Sequence, residues 1–424
     1  SVRGLISPLT ELAPAAAPSL SPSALAQLAR HALTPSYPHA AQWTITDRGT
    51  YWTSSNPWQP GRLHHTRALE VSEPAGHRAE MVYVETTTGR IILRYPLHCS
   101  LDRRLYQSRI SGANRIWVEG NAFPGNLDAE EQEMLQTSKE VYHFFQRTFD
   151  RNSFDGQNGQ MRQVVDVIFR GDSLNGGCPN ARASNGAIYH CNGVVSDDVV
   201  AHEWTHNYMA AINGIIYQFE SGAISEGYAD IFGEVVDLLN TRGGDTGDHL
   251  PRTSCNDPGL RWRLGEDIVA IDTFIRDLWL PECRDDPSSR SSANYACFDL
   301  DQDDGGVHVN SGLVNRTFTL LVDGGVLRGD TVVGIGLTKA VHLFFHAADK
   351  YFSPVTDFNA LGMMLRQSAH DLAGTPLSEL TLLDLPTSFS QDTITSFDSL
   401  QLERAMRATG LEEPSPCPTV DNLA

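Results

Sequence analysis

A chain of 424 residues is long enough for two or three domains and a large core. It is 41% hydrophobic, has no apolar run long enough to span a membrane, and carries a formal net charge of −20, so phosphates would repel it and it is no nucleic-acid binder. The charge is uneven: residues 1–100 hold eight arginines and six carboxylates (+2), leaving −22 on the remainder, which suggests two parts.

Residues 1–22 are rich in Ala, Pro and Ser and read as flexible. SALAQLARHALTP, residues 23–35, predicts a short amphipathic helix ending before Pro35. Residues 60–95 alternate as strands, with TTTGR forming a hairpin turn. Residues 100–110 are polar and basic and read as a linker. From residue 126, LDAEEQEMLQTSKEVYHFFQRTF has apolar residues at helical spacing; MRQVVDVIFRG and GAIYHC then alternate as strands. Further helices are predicted at 197–213, 223–240, 309–322, 331–350 and 356–372, with a loop at 280–306. The segment 375–400 has no assigned role.

Seven cysteines (Cys99, Cys178, Cys191, Cys255, Cys283, Cys297 and Cys417) include no CxxC pair, which argues against a thiolate zinc cluster. They fit a secreted protein with two or three disulfides, or an intracellular one with unrelated thiols. The chain begins at Ser1 without the apolar block of a signal peptide, so a leader is expected to be missing from it.

The motif that carries chemistry is VVAHEWTHNYM, residues 199–209. Asp197 or Asp198 suits the helix N-terminus. His202 and His206 stand at i and i+4, so both imidazoles leave one helix face and can bind one zinc ion. Glu203 lies beside them, placed to take a proton from a water that the metal acidifies. HExxH arises by accident in a chain of this length on the order of once in a hundred times. Downstream, Glu226 offers a third ligand, and Asp230, one turn on, could accept the N–H of a ligating histidine.

The stretch VVAHEWTHNYMAAINGIIYQFESGAISEGYADIFGE resembles the core of the thermolysin family of zinc endopeptidases, the gluzincins. RNSFDGQNGQMR, GGVHVNSGLVNRTF and TVVGIGLTKAVHLFF extend the likeness over roughly residues 120–412, and residues 60–95 are similar to the carboxyl half of the family's propeptide. The resemblance implies an α+β fold: a small α/β pro-segment, then a two-lobed catalytic unit with a β-rich N-terminal lobe, a helical C-terminal lobe and zinc in the cleft. The implied domains are a propeptide-like segment at 1–99, a linker and processing region at 100–120, a first lobe at 121–212 and a second at 213–424.

The resemblance implies His202, His206 and Glu226 as zinc ligands, Glu203 as general base and Asp230 as the residue that orients a ligand histidine. Ser225 stands where the family usually has Asn, so a shorter hydrogen-bond partner is expected for His206. Tyr217 and His308 match the family's oxyanion donors, and Asp303 the carboxylate that keeps the histidine charged. Asn180 and Ala181 match the substrate-holding pair on an edge strand, with Ala183 where the family has an aromatic. Cys178 and Cys191 flank this segment and are expected to be disulfide-bonded. Arg276 matches the arginine that grips a substrate carbonyl; Val199, Leu264 and Ile275 would line the pocket after the cut. Calcium ligands are expected at Asp198, Asp237, Asp245 and Glu266; Arg263 occupies another ligand position, so one ion or none is expected.

The reading is a monomeric, secreted endopeptidase that cuts on the amino side of large apolar residues. Its partners would be polypeptide substrates and its own propeptide, with no nucleic acid and no membrane span. The alternatives are a latent form or a catalytically silent zinc-binding homologue; an exopeptidase is a weaker rival.

Overall fold

Alternation along Leu63–Ser72 sends Leu69 and Val71 to one face of a sheet and Ala68 to the other, and the same period separates Val82 and Val84 from Met81 and Tyr83. The computed structural model in which this is seen describes residues 6–8, 19–34, 40–54, 63–72, 79–96, 101–170, 177–240, 242, 252–385 and 387–417. Most of the expected flexible stretch 1–22, together with Cys99 and Asp245, lies outside the described residues. The chain divides into two units, and the first comprises residues 1–100, 145–150 and 376–391.

Its five antiparallel strands run in sequence order: β1 (Ile6–Pro8), β2 (Thr44–Ser54), β3 (Leu63–Ser72), β4 (Ala79–Glu85) and β5 (Ile91–Pro96). Helix α1 (Pro22–Leu33) starts at Ser21, whose hydroxyl accepts the Ala24 N–H at 3.2 Å, with Pro22 pre-set at the first turn. Leu25, Ala29 and Leu33, four residues apart, pack on the face bearing Leu69, Val71, Val82 and Val84. The predicted hairpin turns at Gly89, whose φ of +76° favours glycine; an added Cβ would also have to displace the Leu28 side-chain end, 2.5 Å away.

The second unit holds the mixed sheet β7-β6-β8-β10-β9. Strands β6 (Arg103–Gln107), β8 (Met161–Val165) and β10 (Ala187–His190) are parallel; β7 (Arg115–Val118) and β9 (Ala181–Ser184) are antiparallel edges. Residues 100–120 are therefore not a linker: they contain two strands, one in the interior of the sheet. Helix α2 (Ala129–Phe149) follows β7. Helix α3 (Asp197–Ile212) is fixed to this layer by side-chain hydrogen bonds. Trp204 Nε1 donates to Ser138 Oγ at 2.7 Å, Ser138 donates to Gln163 at 2.7 Å, and Asn207 Nδ2 donates to the Ala187 carbonyl at 3.0 Å. The cap position of α3 is Ser196, not an aspartate; Asp197 and Asp198 form the first turn.

The remainder is mainly helical. Helix α4 (Phe219–Asn240) packs beside α5 (Asp303–Asp323), with Gly227 so near Val314 that a Cβ would lie 2.6 Å away. A two-stranded ribbon of β11 (Arg263–Leu264) and β12 (Arg276–Asp277) lies between them in sequence. After α5 come a hairpin of β13 (Gly324–Leu327) and β14 (Asp330–Val333), then α6 (Leu337–Lys350), α7 (Phe358–Asp371) and α8 (Ser396–Thr409). The helix expected at 331–350 thus begins only at Leu337, and α8 was not foreseen. Disulfides join Cys178 to Cys191, as expected, Cys255 to Cys283, and Cys297 to Cys417.

Candidate active site

Helices α3, α4 and the start of α5 supply most of the site, with Tyr217 from the turn between α3 and α4 and Arg276 from β12. The i, i+4 spacing on α3 brings His202 Nε2 and His206 Nε2 to 3.0 Å of each other. Glu226 on α4 approaches both, with Oε2 at 3.6 Å from His202 and Oε1 at 3.1 Å from His206. These three ligand atoms lie within 4.8 Å of one another. Two neutral imidazoles and one carboxylate form a donor set that suits zinc and leaves a fourth position open. The histidines expose their Nε2 atoms to this point because Nδ1 is engaged behind: His202 Nδ1 lies 2.9 Å from Asp230 Oδ1. That contact is close but poorly aligned as a hydrogen bond. Ser225 Oγ is 3.4 Å from His206 Nδ1, the weak support its short side chain implied.

Glu203 is buried beside the two histidines, and burial raises its carboxyl above the ordinary range. Asp230 is fully buried. It accepts Arg276 Nε at 2.8 Å and Nη2 at 2.6 Å, and Asn315 Nδ2 at 2.8 Å. Against burial, the Arg276 guanidinium holds Asp230 down to about 2. Arg276 also reaches Glu226 Oε2 at 3.4 Å, so it is an interior ion pair and not a surface one.

The residues that begin α5 bend sharply before the helix proper. Asp303, Asp304, Gly305 and Gly306 all have positive φ (50°, 46°, 89° and 87°), and a Cβ on Gly305 would lie 2.3 Å from the Phe219 ring. The bend turns Asp303 back onto His308: its Oδ1 pairs with His308 Nδ1 and its Oδ2 accepts the His308 N–H at 3.0 Å. Burial lowers the affinity of His308 for its proton, but Glu226 and Asp303 outweigh it and raise the ring to about 9. The side chain is 49% exposed, so water screens these attractions in part. His308 Nε2 and the Tyr217 hydroxyl lie 3.0 Å apart, and Tyr217 donates to Glu226 Oε1. The two expected oxyanion donors therefore converge on the same side of Glu226.

Edge strand β9 begins at Ala181, after Asn180, whose Oδ1 accepts the Ala181 N–H at 2.9 Å. Val199, partly buried Ile275 and Ala181 share one apolar cluster with Cys191 and Ile268. Leu264 pairs with Arg276 across the β11–β12 ribbon.

Of the expected calcium ligands, Asp198 and Glu266 come together, but their companion is Glu234; Asp237 is buried one turn further along α4 and is not one of the three. Asp198 accepts Val199 N at 2.6 Å and is paired with Gly265 N. Burial and neighbouring Asp197 push it up to about 7. Three mutually close carboxylates favour a hard divalent cation. Arg263 is elsewhere engaged, donating to the carbonyls of Cys255 at 2.9 Å and Asp257 at 3.0 Å. Sequence reasoning missed Glu234 and Asn315. Glu226, Asp230 and Glu234 stand at i, i+4 and i+8 on α4, and His308, Ser311 and Asn315 lie along one face of α5; those spacings were the available signal.

The profile of the thermolysin metallopeptidase catalytic domain matches residues 61–210, and that of the family's alpha-helical domain matches residues 213–384. The chain is 31% identical to bacillolysin of Bacillus caldolyticus over 277 residues, 62% of this chain and 46% of that protein. It is 30% identical to bacillolysin of Brevibacillus brevis over 320 residues, 74% and 53%, and 35% identical to a zinc metalloproteinase of Renibacterium salmoninarum over 239 residues, 54% and 41%. It thus spans about half the length of these relatives. Among solved structures it is similar to the precursor of protealysin, a metalloproteinase from Serratia proteamaculans, with a TM-score of 0.53 and 22% identity over 74% of this chain and 88% of that one, a likeness of fold. Two adjoining profiles of a single family enclose the elements that build the site, and the chain belongs to the thermolysin metallopeptidase family.

Proposed function

We propose that the chain is a zinc-dependent endopeptidase that hydrolyses peptide bonds on the amino side of large apolar residues. The observation that carries the reading is the convergence of His202, His206 and Glu226, with Glu203 beside them and Tyr217 and His308 opposite. His202 Nε2, His206 Nε2 and Glu226 would hold zinc, which when bound polarises the scissile carbonyl and acidifies the attacking water. Glu203 takes that water's proton on its carboxylate and passes it to the leaving amine; a raised pKa suits a base that must give its proton back. The Tyr217 hydroxyl and His308 Nε2–H donate to the oxyanion, with Asp303 keeping His308 charged. The substrate lies extended along edge strand β9 at Asn180 and Ala181. Its side chain after the cut enters the pocket of Val199, Leu264 and Ile275, and Arg276 holds the carbonyl beyond.

Residues 1–99 act as a propeptide. Because β6 begins at Arg103 inside the sheet, the processing point falls between 97 and 102. Asp198, Glu234 and Glu266 bind one calcium ion. Extracellular action is supported by the three disulfides.

The test pairs the wild-type chain with Glu203→Gln on a denatured protein and identifies new N-termini by mass spectrometry. Termini beginning with Leu, Phe, Ile or Val are expected from the wild type, and about 10²–10⁴-fold fewer from the variant. Equal cleavage by both would remove Glu203 from the mechanism; none by either would favour a silent binding protein.

A further inference from the structure

A cavity of about 500 Å³ lies beside the loop that carries Tyr217. Ile216, Phe219 and Val355 line it and are 42%, 46% and 71% exposed, so three large apolar side chains meet water at one concave place. Its walls are held from several sides. Ile216 N donates to the Pro354 carbonyl at 2.8 Å, which ties the Tyr217 loop to the turn before α7. A closed ion pair lies beneath: Arg290 Nη2 donates to Glu220 Oε1 at 2.5 Å and Phe358 N to Oε2 at 3.1 Å, with the Arg290 side chain 3% exposed. Ser415 closes another side, two residues from the Cys297–Cys417 disulfide. Phe219 opens α4 with a φ of +50°, which a bulky residue rarely adopts. One edge of its ring lies against Gly305, yet nearly half of the residue stays exposed at the cavity. Strained backbone of this kind recurs at ligand clamps.

We infer that this cavity is a second contact for the polypeptide substrate, taking an aliphatic or aromatic side chain with a Lys or Arg next to it, about three to five residues from the cut bond. The inference rests on the reading of the site as an endopeptidase cleft. Continuity favours this occupant. Ile216 and Gln218 both line the cavity and flank Tyr217, whose hydroxyl lies 3.0 Å from His308 Nε2. Neighbouring Cα atoms are about 3.8 Å apart and an extended chain advances about 3.3 Å per residue, so a substrate leaving the site reaches the cavity within a few residues. Charge favours it too. Glu220 and Arg290 cancel, whereas exposed Asp357 on the rim accepts the Ala360 N–H at 2.8 Å and has no cationic partner among the described residues. The whole chain carries −20, so a cationic segment is drawn in and an acidic one is repelled. The apolar wall then holds the neighbouring side chain.

The test uses the full chain carrying Glu203→Gln, so that nothing is turned over, and two fluorescently labelled peptides that share one central Gly-Leu bond. One is a blocked tetrapeptide. The other has sixteen residues, with Phe-Lys pairs three to five residues from the bond on each side. Anisotropy titrations are expected to give the long peptide a Kd about tenfold lower. Val355→Lys, which replaces the exposed wall with a cation, should remove most of that gain. Asp357→Asn, which keeps a side chain able to cap α7, should remove about two- to threefold of it. The tetrapeptide is too short to reach the cavity and should bind parent and variants alike. In chains with Glu203 restored, the same variants should raise KM for the long peptide alone and leave kcat unchanged. A long peptide that binds no tighter than the tetrapeptide overturns the proposal. So does a gain that survives Val355→Lys. Failure of the endopeptidase reading would look different: neither peptide is cut, while the long peptide still binds and Val355→Lys still releases it.

Discussion

His190 on β10 is fully buried, and neither ring nitrogen has a hydrogen-bond partner among the described residues. Burial, helped by nearby His202, lowers its pKa from 6.5 to about 3. A depressed folded-state value means that the unfolded chain binds the proton first on acidification. The stability this group contributes is therefore complete above pH 6.5 and is lost as pH falls toward about 3. Each unit in that window costs about 1.4 kcal/mol, so acidification from 6.5 to 4.5 costs about 2.7 kcal/mol through this side chain alone. His190→Leu removes both the unpartnered polar ring and the titration. It should stabilise by about 1–3 kcal/mol at neutral pH and by about 2.7 kcal/mol more at pH 4.5. Urea unfolding of both chains in the Glu203→Gln background, with pH as the variable, reads the difference directly. A difference between the two that does not change with pH would refute the reasoning, because it would mean that the ring keeps its proton or finds a partner inside the fold.

Tyr217→Phe and His308→Phe should each lower kcat by about 10²–10³-fold with little change in KM. The wild type should also lose activity as pH rises through about 9, where His308 gives up its proton, and steady-state profiles of His308→Phe should lack that limb. Calcium should raise the unfolding temperature, by the equivalent of about 2.7 kcal/mol at a hundred times its Kd, and Glu234→Gln should abolish the shift in calorimetry. Without the ion, protonated Asp198 favours the folded state at low pH and that advantage is lost as pH rises through about 7, so the calcium shift should grow over that interval. Asp230→Asn should weaken metal binding about 10–100-fold in chelator competition, and Arg276→Lys, which can fill one Asp230 oxygen but not both, should weaken metal binding in the same direction as well as raise KM.

How much of this was legible depended on how local the signal was. His202, His206, Glu226 and Asp230 sit on two consecutive helices at turn spacings, so the polypeptide itself reveals that they share faces. Tyr217 and His308 meet across 91 residues of sequence, and only the family resemblance suggested it. The interior strand β6 was hidden because one of its buried positions is Arg103. That guanidinium is satisfied by Glu119 at 2.6 and 2.9 Å and lies 5.1 Å from the Trp117 ring centre, a solution that no hydropathy pattern can signal. At 331–336 the β-branched run Thr331–Val333 ends a hairpin whose turn has positive φ at Arg328 and Gly329, and Gly334 to Gly336 lead into α6; the apolar residues of this stretch merged with those of the helix.

Asp230 explains why the site can be both charged and buried. Left alone, a carboxylate at 0% exposure would take up a proton. Here a two-pronged contact from Arg276 and the Asn315 amide fill its oxygens, and Oδ1 still faces His202 Nδ1. A charged Asp230 keeps the His202 proton on Nδ1 and so leaves the Nε2 lone pair for a metal. The same guanidinium reaches Glu226, so one cation steadies a proposed ligand and the group proposed to orient another. A lysine could satisfy one oxygen but not the planar pair, and an apolar residue would strand two buried carboxylates at a cost of about 3–5 kcal/mol. Arg276 must therefore be read as part of the site's charge balance before it is read as a substrate contact. Any loss of substrate binding on its removal has to be weighed against metal content measured on the same sample.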